Sequence, residues 1–210
     1  MTTPLAPLGA LTVEQRDGRR VTVRRSTRET EIGLTLDLDG SGLTAISTGV
    51  GFYDHLLSSL AHHGLFDLEI AARGDLDVDD HHTVEDVALV LGAAVAEALG
   101  DRAGIARFGD ASVPMDESVA TAIVDVGGRP YAVIDLPFRG ERAGTLNLQL
   151  VDHALEAFAR TAGATLHIRG SGRNDHHLAE AAFKALGRAL RAACEPDPRR
   201  RGVASTKGST

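Results

Sequence analysis

The chain has 210 residues, a length for one large domain or two small packed ones, and its 43% hydrophobic and 24% charged residues are the balance of a folded soluble protein. A formal net charge of -7 speaks against a general nucleic-acid binder, and no apolar run nears the length that a membrane span needs. Trp is absent and aromatics are only 4%, so an aliphatic core is expected.

The start, MTTPLAPLGALTVEQRDGRR, lacks a positive segment before an apolar one and does not read as a secretory signal. Cys194 is the only cysteine, so an intrachain disulfide and a thiolate zinc site are both excluded. A reducing cytoplasm is the expected location. Any metal must be held by nitrogen and oxygen.

Residues 1–20 carry two prolines and then polar residues, and are expected to form a flexible N-terminal arm. From Val21 the pattern is strand-like, with Ile32, Leu34, Leu36 and Leu38 alternating up to an Asp39-Gly40 turn. FYDHLLSSLAHHG sets Phe52, Leu56, Leu57 and Leu60 at helical spacing, with Gly64 as the stop. LFDLEIAARGDLDVDD reads as one strand and a short second one. Thr83 to Leu99 reads as a helix with one apolar stripe, closed by Gly100. The second part repeats the order. ASVPMDESVATAIVDVGGRPYAVIDLPF gives strands with a Gly-Gly turn, LNLQLVDHALEAFARTAG a helix, ATLHIRG a strand, and HHLAEAAFKALGRALRAAC a long helix ending before Pro196.

The repeat is explicit. Asp54-His55 matches Asp152-His153, 98 residues on; His81, His82 and Glu85 match His176, His177 and Glu180, 95 residues on. The expected fold is therefore α+β: two tandem pseudo-repeated half-domains, each a β-sheet with a helix pair, packed as a sandwich. Residues 21–104 form the first half-repeat, 105–195 the second, and 196–210 a basic C-terminal tail.

A helix turns about 100° per residue, so His81 and Glu85 share a face while His82 points elsewhere. One His-His-x-x-Glu phrase can thus give a His/Glu pair to one ion and a lone His to another. With His55 and His153 the set is three imidazoles and one carboxylate for each of two metals. That leaves open positions on a six-coordinate ion, and Mn²⁺ is at least as plausible as Zn²⁺. A single copy of the phrase is usually a solvated helix end. Here His, His and Glu persist in both halves while TVEDVALVL and LAEAAFKAL have diverged around them. His62 and His63 suit a helix C-terminus, and His63 also lies two turns past His55; His167 reads as structural. Two other readings stay open on the residues: a dinuclear metal-dependent hydrolase, and a metal-storage shell. The shell fits poorly, because strands interrupt the helices.

TRET, TGVGFYDHLL, HHGLFD, DDHHTVEDVALVLG, RFGDASVPMDE, GGRPY, QLVDHALEAFA, TLHIRG, NDHHLAEAAFKALGRAL, EPDPRRRG and STKG together resemble imidazoleglycerol-phosphate dehydratase of histidine biosynthesis, from about Arg24 to Lys207. The resemblance implies a ribosomal S5 domain 2-like sandwich and a cytoplasmic lyase. Its reaction would be elimination of water from imidazole glycerol phosphate to imidazole acetol phosphate. It implies two Mn²⁺ ions per active site, and a homo-oligomer of twenty-four chains with sites between subunits. It implies a small phosphorylated imidazole as substrate, with no nucleic-acid or membrane partner. Its metal ligands fall on His55, His81, His82, Glu85, His153, His176, His177 and Glu180, and its acidic residue on Glu29. Its substrate contacts fall on Arg107, Arg129, Lys184, Ser205 and Lys207, and His63, by its spacing from His55, is a further candidate for substrate binding. Three positions depart from the family pattern: Gly51 for proline, Gly127 for serine and Ser59 for glutamine.

Overall fold

The structure, a computed structural model, describes residues 11–208. The first half holds β1 (Leu11–Asp17), β2 (Arg20–Ser26), β3 (Thr30–Asp37), β4 (Thr44–Ser47), α1 (Gly51–Gly64), β5 (Asp67–Gly74) and α2 (His81–Leu99). The second holds β6 (Phe108–Met115), β7 (Ser118–Asp125), β8 (Tyr131–Asp135), β9 (Arg142–Ala143), β10 (Leu146–Asn147), α3 (Gln149–Ala162), β11 (Thr165–Ser171) and α4 (Asp175–Cys194).

The two sheets share one topology. In the order β2-β3-β5-β4 and β6-β7-β11-β8, an antiparallel hairpin is followed by a strand that pairs antiparallel with the hairpin and parallel with its other neighbour. Strand alternation fixes which face is inside: Ile32, Leu34 and Leu36 of β3, and Ala120, Ala122 and Val124 of β7, are buried. The helices fill the space between the sheets. α2 packs on β2 and β3, α4 on β6 and β7, and across the middle α2 meets α3 while α1 meets α4. The expected two-half α+β sandwich is the observed one.

Three sequence expectations need correction. The arm over residues 1–20 is in part a strand: β1 pairs antiparallel with β2 and puts Leu11 against the core, while residues 1–10 lie outside the described residues. Its signal was weak because it is an edge strand whose side chains are almost all exposed. The short second strand in LFDLEIAARGDLDVDD does not form; β5 ends at Gly74 and a turn leads to α2. The stretch after the Asp39-Gly40 turn, which carried no strand signal, holds β4, which pairs in parallel with β5. α1 does end at Gly64, but the left-handed residue is Leu65 at φ 56. Gly64 itself is helical, and what calls for glycine there is space, since a Cβ would meet the Phe66 ring at 2.6 Å.

The tail is docked as far as Ala204. Val203 bridges Ala103, Pro196 bridges Ile105, and the Asp197 amide donates to the Gly104 carbonyl. Residues 209–210 lie outside the described residues.

Candidate metal centres

Each Asp-His helix faces the His-His-x-x-Glu helix of the other half. Helix starts place the ligands. Asp54 accepts the Thr48 amide and hydroxyl at 2.9 and 2.6 Å, folding the chain into α1. Asn174 caps α4 by accepting the His176 and His177 amides, and Asp79 accepts the His81 amide at the head of α2. The paired histidines therefore sit in the first turns, where apolar packing does not cover them.

The first group joins His55 of α1 to His176 and Glu180 of α4. Glu180 Oε2 lies 2.9 Å from His55 Nε2 and 3.2 Å from His176 Nε2. Lys184 Nζ donates to Glu180 Oε1 at 2.8 Å. Burial opposes ionisation of Glu180, but the hydrogen bonds from Lys184 and His55 prevail and hold its pKa at about 2. The second group joins His81 and Glu85 of α2 to His153 of α3. Glu85 Oε2 is 3.7 Å from His81 Nε2, and Oε1 is 3.5 Å from His153 Nε2. Arg160 Nη2 donates to Oε1 at 3.1 Å. Here too burial works against the charge, and His153 and Arg160 keep the carboxyl below its usual range.

In each group the candidate ligand atoms lie within 4.8 Å of one another. One of them, His153 Nε2, is buried with no hydrogen-bond partner. A buried ring nitrogen without a hydrogen bond, 3.5 Å from an ionised carboxylate, is in the position of a second ligand to a shared cation. Imidazole and carboxylate without thiolate suit a divalent ion of the Mn²⁺ or Zn²⁺ kind. The residues present fit such an ion.

His82 and His177 do not join these groups. His82 Nδ1 lies 3.0 Å from Asp75 Oδ2, and His177 Nδ1 lies 2.9 Å from Glu117 Oε2. Each carboxylate accepts the Nδ1 proton and so leaves Nε2 with its lone pair outward. The same hydrogen bonds raise both imidazole pKa values. Both histidines are accessible, and each Nε2 faces a carboxylate on a hairpin turn: Glu29 at 4.0 Å from His82, and Asp116 at 3.9 Å from His177. Sequence reasoning singled out Glu29 but not Asp75, Asp116, Glu117 or Arg160. Glu117 is 60 positions from His177, and nothing local marks it.

The cationic residues fall in two places. Lys184 and His63 flank the first group, and burial followed by the Lys184 charge lowers the His63 pKa. Arg107 and Arg129 lie elsewhere, sharing Asp125. Arg107 binds both Asp125 oxygens, at 2.7 and 2.9 Å, and donates to the Ala204 carbonyl at 2.6 Å. It thereby holds the C-terminal segment that carries Ser205 and Lys207. A Cβ at Gly127 would lie 2.5 Å from Arg107 Nη2, so the glycine is what admits this guanidinium pose. The Arg107 amide donates to the Ala193 carbonyl, thirteen residues along α4 from Glu180. That corner is about 20 Å from the first group.

The family model described as imidazoleglycerol-phosphate dehydratase matches residues 48–190. A protein of that name from Acidiphilium cryptum is 52% identical over 192 residues, covering 90% of this chain and 98% of its own. One from Methanoculleus marisnigri is 54% identical over 187 residues, covering 89% and 97%. The chloroplastic protein of Pisum sativum is 53% identical, covering 89% of this chain and 67% of its own. The crystal structure of imidazoleglycerol-phosphate dehydratase from Staphylococcus aureus superposes with a TM-score of 0.76 at 35% identity, covering 83% of this chain and 98% of that one. The structure from Pyrococcus furiosus gives 0.77 at 36%, covering 89% and 99%.

Proposed function

The chain belongs to the imidazoleglycerol-phosphate dehydratase family, hydro-lyases of histidine biosynthesis, and from that premise we propose that it converts D-erythro-imidazole glycerol phosphate to imidazole acetol phosphate with two Mn²⁺ ions per active site. The observation that carries this reading is the matched pair of His₂Glu groups, each built from both halves of the repeat.

The elimination breaks the C–O bond on the carbon beside the imidazole ring and the C–H bond on the next carbon. Hydroxide leaves with a proton as water, and the enol left behind tautomerises to the ketone. Hydroxide leaves poorly and the C–H is only weakly acidic, so the ring needs help to reach the imidazolate form, which expels the hydroxide and then takes up the electrons of the C–H bond. When bound, divalent ions supply that as Lewis acids toward imidazole nitrogen and oxygen. Glu29 is assigned to take and return the proton, a reading supported by its position beside His82 and outside both ligand groups. Arg107, Arg129, Lys184, Ser205 and Lys207 are assigned to the phosphate, and His63 to the substrate beside Lys184.

The working site on this reading lies between copies of the chain. Among the described residues one copy offers two imidazoles and one carboxylate per group, with His82 and His177 outside the groups as further candidate ligands. The Arg107–Arg129 corner is too far from its own chain's first group for one small substrate to touch both. A neighbour supplies what each group lacks, in the twenty-four-chain assembly expected of a cytoplasmic enzyme of this family. Val119, Ile123, Tyr131 and Val133, all exposed on the outer face of the second sheet, give apolar area for such contacts.

The test is direct. Protein loaded with Mn²⁺ converts imidazole glycerol phosphate to the acetol phosphate, followed by the appearance of the ketone. A metal-loaded protein that yields no ketone overturns the proposal, and release of inorganic phosphate instead would favour a hydrolase.

A further inference from the structure

Glu29 rides on a turn that is two residues longer than its counterpart in the second half. Between β2 and β3 the last ladder pair is Ser26 with Glu31; between β6 and β7 Met115 pairs with Ser118 directly. A longer exposed turn is freer to wander, which is a poor mount for a group that must meet one carbon atom. This turn, however, is tied down from beneath. Thr27 Oγ1 accepts the amides of Glu29 at 3.1 Å and Thr30 at 3.0 Å. The Thr27 amide donates to the Thr30 carbonyl at 2.8 Å. Thr30, 3% exposed, donates its hydroxyl to Asp86 Oδ2 at 2.5 Å. Asp86 is also paired with Arg25, and both side chains of that ion pair are largely buried.

Asp86 stands on α2 four residues after His82, on the same side of the helix. It therefore connects the turn that carries Glu29 to the face that carries His82. Buried ion pairs contribute little to stability compared with apolar packing, so their retention calls for another reason. The repeat supplies a control. The position matched to Asp86 in the second half is Ala181, fully buried with no charge at all. The fold accepts an apolar residue there, and the ion pair exists only in the half whose turn bears Glu29.

We propose that Arg25, Thr30 and Asp86 are positioning residues that hold Glu29 in reach of the reacting carbon, acting through the Thr27–Thr30 turn rather than on substrate. The inference rests on the assignment of Glu29 as the proton-moving carboxylate. In the metal-loaded enzyme, Asp86→Asn lowers kcat about ten- to a hundredfold while KM and metal content stay near wild type. In a Glu29→Gln background the same substitution adds less than about twofold, because its effect passes through Glu29. An equal loss in both backgrounds overturns the proposal, as does no loss in the wild-type background. Thr30→Val keeps volume and removes the hydroxyl that donates to Asp86 and accepts from Arg25; it gives the same split and serves should the Asn variant fold poorly. A second readout needs no turnover: in Asp86→Asn the Glu29 and Thr30 amides exchange faster with solvent while those along α2 do not, and unchanged exchange at the turn overturns the proposal. If Glu29→Gln alone keeps full activity, the reading of Glu29 has failed, and amide exchange still decides whether Asp86 holds the turn.

Discussion

Adjacent histidines on a helix serve different sides of it, because one residue step turns the side chain by about 100°. The rings of His81 and His82 are inclined at 83°, and those of His176 and His177 at 89°. One member of each pair joins an intrachain group and the other points outward with its Nδ1 held by a carboxylate. That second contact is testable. Glu117→Gln keeps the size of the side chain but weakens the acceptor that fixes His177, and metal affinity falls about ten- to a hundredfold. Calorimetric titration of Mn²⁺ into the metal-free protein measures it. Unchanged affinity would remove His177 from the ligand set.

The ligand groups exist because two helix pairs approach closely. A Cβ on Gly187 would meet the Leu60 carbonyl oxygen at 2.1 Å, and one on Gly92 would meet the Phe158 carbonyl oxygen at 2.5 Å and Thr161 Oγ1 at 2.1 Å. The two glycines are 95 positions apart, and Leu60 and Phe158 are 98 apart, so both crossings are copies of one repeated contact. Each glycine lies seven residues after its glutamate, two turns down the same helix face. An added methyl would have to push apart backbone atoms, which flexible side chains cannot absorb. Gly187→Ala therefore destabilises by about 1–3 kcal/mol. It also widens the His55–Glu180 separation. Urea unfolding of the metal-free protein reads the first effect and Mn²⁺ binding the second; a variant with both unchanged contradicts the account.

At the scale of the whole molecule, one chain holds two groups of two histidines and a glutamate, and a distant cationic corner. If neighbours complete the groups, metal is part of what joins them, and removing it weakens every such contact together. Chelation then takes the assembly to smaller species, which light scattering follows, and Mn²⁺ restores it. A particle of unchanged size after complete removal of metal would place the contacts elsewhere.

Much of this was legible in the sequence, and for physical reasons. Helical and strand periodicity are local, so α1 to α4 and the alternation in β3 were read from apolar spacing alone, whereas the hairpin turns at 27–30 and 116–117 were not. The repeated phrase displayed the ligand types, and the turn of the helix separated His81 from His82. What the sequence left undecided depends on contacts between distant residues. It could not pair His55 with Glu180 or His153 with Glu85, because each group crosses from one half to the other. It missed β1, whose exposed side chains leave no period, and β4, which is defined only by its partner. It could not tell that Asp75 and Glu117 hold the outward histidines, or that Asp86 lies under Glu29. Side-chain chemistry is written residue by residue, whereas the distances that turn it into a site arise only when two sheets close over four helices.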